Sequence, residues 1–462
     1  MSNRNLKTCD TSEYINENML TETNTPFFFT ENPILYQRYL ECFPPEEAYY
    51  YFPKGEEVMI ENKKNPEKSL RRIFFNTEFN EHEKKWLIEF NKIIDQHPEN
   101  KLPDYWNDSY NLKYIYSENC KLQKAYERMI NNINHQKKFF PLSFTPEDKV
   151  LTVINMGFCY VFGRDHQFRP ILVINTSILV KRIDEFTTDD LIRSGMFIVE
   201  FIKNKMFIKG QIENLIMIIN FENTNVISLP DKLKKTLMEI NKNFVSILYK
   251  TYFIGVNFII RLILKIIFAF LEKITVKKVV ILDSKKDKRI FENISPNNLE
   301  KRFGGEAENI DYEKGNLFPP FMPKNKEFLL KNEDKKKILI SEEKYIQMVK
   351  NNLIIKDSIS PFILKKIEEE KEKNKLKNEN NSIDENNNDN NKDDNNDDLN
   401  NNLSCYYELF DKKSINNSIN SNNNFFNYKN KTIKFKYNNF INEINNFNNC
   451  KKSMNWKLFD NN

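Results

Sequence analysis

Reactive side chains are sparse and scattered in this chain. Cys9, Cys42, Cys120, Cys159, Cys405 and Cys450 stand alone, with no close pair at metal-ligand spacing. His82, His97, His135 and His166 add no zinc constellation. No nucleophile–base pair, phosphate-cradling Gly loop or convergent carboxylate pair stands out, so catalysis is not expected. The thiols read as reduced and mostly buried, and neither a cofactor nor a metal is expected. What remains is cationic and apolar chemistry. Lys285, Lys286, Lys288 and Arg289, with Lys277 and Lys278 nearby, could attract anionic lipid at roughly 1 kcal/mol per charge close to a membrane. In a Lys-rich chain the plain alternative is a solvated charged face.

The apolar chemistry is concentrated in residues 253–271, where 14 side chains are Leu, Ile, Val or Phe. That length suffices to cross a bilayer. The apolar residues contribute roughly −4 to −8 kcal/mol on an insertion scale, while Arg261 and Lys265 near the centre cost roughly +5 to +7. The balance is close to zero. Asn257, Arg261 and Lys265 recur every four residues and so share one helical face, with Ile259, Leu262, Ile263, Ile266 and Phe270 on the other. Such a helix suits a lid, polar to solvent and apolar towards a cavity or membrane surface. A buried core helix and a membrane span are the other readings, and periodicity alone does not rank the three.

The elements that would position this segment follow from pattern. Residues 1–66 read as an irregular extension with aromatic patches (Phe27, Phe28 and Phe29; Tyr49, Tyr50, Tyr51 and Phe52) that should pack on the domain rather than stand in water. Residues 67–141 are helical: Trp86, Leu87, Phe90, Ile93 and Ile94 recur at three and four, as do Leu122, Ala125, Tyr126, Met129 and Ile133. Strand-length runs at 173–175, 215–219, 251–254 and 279–282 alternate with helices near 189–206 and 231–248. That order predicts a largely parallel sheet with helices packed on it. Segment 324–370 is charged and partly helical. Residues 371–462 are Asn-rich, and 378–402 bury too little apolar surface to offset chain entropy, so this tail is expected to be disordered. A net charge of +5 over 462 residues, with no concentrated basic face, does not suggest nucleic acid. The polar stretch 1–10 lacks a signal peptide's apolar core, so a cytoplasmic location is expected.

In order along the chain, these segments resemble the CRAL-TRIO family, which includes phosphatidylinositol transfer proteins and tocopherol- and retinaldehyde-binding proteins. The resemblance is carried by Phe270, Leu271 and Glu272, then Thr275, Val276, Lys277, Lys278 and Val279, then Ile294, Asn298 and Leu299, and finally Arg302, Phe303, Gly304 and Gly305. Upstream, Asp165, His166, Gln167, Phe168, Arg169, Pro170 and Ile171 look like the family's Asp-x-x-Gly-Arg-Pro-Val turn, with Phe168 in place of Gly. Residues 113–141 look similar to its helical subdomain. Inositol-binding members carry Arg-Ala-Arg-Lys where this chain has Tyr116, Ser117, Glu118 and Asn119. They also carry Pro-Glu-Arg-x-Gly-Lys where it has residues 245–250.

The resemblance implies an α/β fold: a mainly parallel sheet covered by helices with a lipid cavity at 142–323, preceded by the helical subdomain. It implies a non-enzymatic protein that binds, and transfers or senses, a phospholipid or other hydrophobic lipid, docking transiently and peripherally on membranes. The helix 257–271 would be the gate. Ile216, Ile218, Phe258, Ile259, Leu262, Ile263, Ile266 and Phe270 become lipid-contact candidates, and Lys285, Lys288 and Arg289 headgroup or membrane contacts. An interaction module that keeps the fold without exchanging lipid is the alternative, its protein partners unidentified.

Overall fold

Runs of β-branched and aromatic residues assemble the sheet, and the helices between them cover it. In the computed structural model, residues 33–139, 149–225, 230–270, 276–284, 287–311, 317–324 and 339–384 are described. The chain divides into two units, Met1–Leu376 and Lys377–Asn462, and the elements below belong to the first except for the end of the last helix. In chain order they begin with α1 (Pro33–Cys42), α2 (Glu46–Tyr49), β1 (Met59–Ile60) and β2 (Leu70–Arg71). The helical layer follows as α3 (Glu81–Asp95), α4 (Asp108–Ser117) and α5 (Leu122–Phe139). The sheet region comprises α6 (Val150–Asn155), β3 (Cys159–Arg164), β4 (Pro170–Asn175), α7 (Thr176–Arg182), α8 (Thr188–Phe201), β5 (Leu215–Asn220), α9 (Asp231–Asn243), β6 (Leu248–Ile254), α10 (Phe258–Phe270) and β7 (Val279–Ile281). Two helices end the described chain, α11 (Glu342–Lys350) and α12 (Pro361–Asp384).

The five-stranded sheet runs in the order β3-β4-β5-β6-β7, so each strand lies beside its neighbour in sequence. Strand β4 to β7 pair parallel through the crossovers α8, α9 and α10, and β3 alone is antiparallel. Both faces are covered, which is why the strands read as nearly continuous apolar runs. Ile171, Val173, Ile216, Ile218, Tyr252 and Ile254 pack on one face against Ile290, Leu299 and Phe303 from the irregular segment after β7. The alternate residues, among them Leu172, Leu215 and Met217, meet the helices on the other face.

The antiparallel β3–β4 turn shows what Phe168 does in place of Gly. Its φ is +61°, in the left-handed region that a β-carbon disfavours. Three contacts hold it there. The Asp165 carboxylate accepts from the Gln167 and Arg169 backbone N–H groups at 3.0 and 2.7 Å and pairs with the Arg169 guanidinium at 2.7 Å. The ring itself is fully buried, 6.0 Å from Tyr51. At the other turn, a β-carbon on Gly305 would stand 2.0 Å from the Leu299 carbonyl oxygen, so only Gly fits.

Helices α3, α4 and α5 form their own core around Leu87, Phe90, Leu112, Ile115 and Met129. Asn80 caps α3 reciprocally with Glu83, whose carboxylate also takes a buried pair from Arg71 at 2.7 Å. Segment 339–370 packs through Tyr345, Ile354 and Ile363 on Tyr49, Tyr50 and Phe52. Thus the second aromatic patch is covered, partly by chain that the sequence assigns to a separate charged segment. The patch at Phe27 to Phe29 and residues 385–462 of the Asn-rich tail lie outside the described residues.

Candidate functional site

Between the sheet and helices α9 and α10 lies a cavity of about 270 Å³. Met217 and Ile219 of β5 and Phe253 of β6 form its floor, Leu233, Leu237 and Ile240 of α9 one wall, and Ile260, Ile263, Leu264, Ile267 and Phe268 of α10 its cover. Helix α10 starts where the Asn257 side chain accepts from the Ile260 N–H at 2.9 Å. Polar groups gather towards the start of β6 and β7: Ser117, Arg128, Asn241, Ser246 and Lys278 all line the cavity there. Arg128 is held by Glu118 at 2.8 Å and donates to the Asn241 carbonyl at 2.9 Å, while the Lys278 ammonium donates to the Leu248 carbonyl.

This placement separates the residues expected at the site. Ile263 covers the cavity. Phe258, Ile259, Leu262 and Ile266 are instead on the outer side of α10, 74, 48, 45 and 55% exposed. Here the expected faces need correction, because α10 is apolar on two sides. The inner stripe is Ile260, Ile263, Leu264 and Ile267, and the outer apolar stripe runs alongside exposed Arg261 and Lys265. Ile216 and Ile218 need correction too. They are fully buried on the opposite face of the sheet, because side chains alternate along a strand and the cavity takes Met217 and Ile219. The Phe270 side chain and Lys285 lie outside the described residues.

Lys288 is exposed and lies away from the cavity lining. Arg289 is engaged by Asp287 at 2.6 Å and Asp283 at 3.2 Å. That guanidinium, with two backbone N–H groups, holds the Asp287 carboxyl far below the usual range. The cations that do line the cavity are Arg71, Arg128 and Lys278, of which the sequence offered only Lys278, as part of a basic cluster. Its signal was its position immediately before β7, where a side chain meets the edge of the sheet.

No cysteine or histidine lines the cavity among the described residues. Burial pushes the Cys120 and Cys159 thiols up to about 12, which leaves them protonated at neutral pH. Among the described residues no helix is long and apolar enough to cross a membrane.

Comparison with known proteins bears on this geometry. Residues 154–305 match the CRAL/TRIO domain. No curated protein matches the chain. Among solved structures it is similar to that described as "Crystal structure of Sfh5", at 15% identity and a TM-score of 0.41, covering 53% of this chain and 95% of the other. CRAL/TRIO domains are generally lipid-binding, and residues 154–305 hold the sheet and most of the cavity floor and cover. By that match, residues 154–305 of this chain carry a CRAL/TRIO domain.

Proposed function

We propose that this chain is a non-enzymatic lipid carrier that works in the cytoplasm and docks peripherally on membranes to exchange its cargo. The observation that carries this reading is the apolar cavity roofed by a helix that is itself apolar on both sides. A lipid chain in the cavity gains roughly 0.8 kcal/mol per buried CH₂. At about 270 Å³ the cavity is at the small end of ligand pockets, which run roughly 300–1,000 Å³. A two-chain lipid therefore enters only as α10 swings outward.

The outer stripe supplies the surface that makes such opening favourable. Phe258, Ile259, Leu262 and Ile266 can enter the acyl boundary while Arg261 and Lys265 reach anionic headgroups, the geometry of an interfacial helix. Purified protein should yield a stoichiometric lipid by extraction and mass spectrometry, and should move a labelled lipid between vesicles. Protein that carries no extractable lipid and moves none would rule the carrier reading out.

A further inference from the structure

A second cleft, of about 120 Å³, lies at the seam between α4, α5 and the segment 203–213. Its lining has three ammoniums (Lys113, Lys203 and Lys209) against one carboxylate, Glu213. The Lys113 and Lys209 ammoniums stand 4.6 and 5.8 Å from the centre of the same Phe75 ring, and Lys203 is 5.4 Å from the Phe244 ring. Glu213 is already committed: it accepts from the backbone N–H groups of Phe74, Phe75 and Gly210 and pairs with Lys113 at 3.1 Å. Lys203 pairs with Glu200 at 2.7 Å and Lys209 pairs with Asp357, carboxylates outside the cleft lining.

Each of the three ammoniums has one carboxylate partner, yet Lys203 and Lys209 still disfavour the charge on Lys113. Burial lowers the Lys113 pKa, and Lys203 and Lys209 lower it further against the pull of Glu213. An anion among them relieves that repulsion, and the Gln136 amide on the same lining can donate to its oxygens. At about 120 Å³ the cleft has room for a phosphate group. Phe244, Val245 and Ile247 line both this cleft and the apolar cavity, so one wall separates the two.

We propose that the Lys113–Lys203–Lys209 cleft is a second ligand site, separate from the lipid cavity, that binds the oxyanion of a phosphate group. The source is either free phosphate or a lipid phosphate reaching past the shared wall. Titration calorimetry of the full chain with inorganic phosphate, at constant ionic strength in chloride, tests the first source. A soluble short-chain phosphatidate tests the second. Lys203 and Lys209 are partly exposed, so the Lys203→Gln/Lys209→Gln variant leaves the buried Lys113–Glu213 pair in place, and circular dichroism checks its fold. Saturable binding of inorganic phosphate that weakens at least about tenfold in this variant, but not in Lys301→Gln, supports the site. Binding of the phosphatidate alone, with the same dependence, supports it and names the lipid as source. If neither probe binds saturably, or if the double variant binds as well as the parent, the proposal is overturned.

Discussion

Gly255 and Glu222 are packed so closely that a β-carbon on Gly255 would meet the Glu222 backbone nitrogen at 2.8 Å. Gly255 has a φ of +72° and sits between the last residue of β6 and the cap of α10, the helix that covers the cavity. Gly255→Ala adds both a left-handed strain and a backbone clash, so we expect a stability loss of about 2 kcal/mol or more. Urea unfolding reads this directly, and an unchanged midpoint would show that the junction adjusts freely.

The two faces of α10 should separate in experiment. Ile263→Asp places a carboxylate against the apolar cavity, where an unpaired charge is strongly disfavoured. Co-purified lipid should fall well below the parent's stoichiometry. Phe258→Ser/Ile266→Ser changes only exposed positions and should leave bound lipid intact. Vesicle binding by that variant should drop on the order of tenfold, because two large side chains no longer enter the membrane. The assignment of inner and outer faces fails if both variants lose the same property.

Glu213→Gln should cost about 3 kcal/mol at neutral pH, since it leaves the Lys113 ammonium without its buried partner. The pH dependence has a definite sign. Lys113 already has a lowered pKa, and removing Glu213, which raises it, lowers it further. Between that folded value and the unfolded one of about 10.4, the unfolded chain binds more protons, so stability rises with pH. The deficit of Glu213→Gln should therefore shrink as pH rises from neutral towards the unfolded value in urea titrations. A deficit independent of pH would mean that Lys113 is not the strained group.

Tyr345→Ala should destabilise the chain by about 3 kcal/mol. The side chain is fully buried, its ring lies 5.4 Å from Tyr50, and its hydroxyl accepts from the Ser360 N–H at 2.7 Å. Thermal unfolding monitored by tyrosine absorbance tests whether segment 339–370 is part of the cooperative unit. A transition identical to the parent's would make it an independent appendage.

The sequence made most of the architecture legible. The runs at 215–219 and 251–254, separated by a 3.6-period stretch, lead to parallel neighbours, and they are neighbours. Strand β3 was not legible, because Gly163 interrupts its apolar run and the strand ends in a bulge. Facing was harder still. Ile216, Met217, Ile218 and Ile219 are all apolar because both sides of the sheet are covered, so alternation carries no polarity to say which pair meets the cavity. The same holds for α10, where a second apolar stripe hides the first. Lys278 was obscured for the opposite reason: among many lysines only its place immediately before β7 marks it out.

A helix with two apolar faces has no dry orientation in water. Closed, α10 still wets Phe258, Ile259, Leu262 and Ile266. Opened in water, it would wet its inner stripe and the cavity as well. Only contact with a nonaqueous phase removes the first penalty and cushions the second, so under the proposed function the medium rather than the cargo would decide when α10 moves. A carrier of that kind would behave as a wetting agent for its own doorway: inert while suspended, and labile once it touches oil.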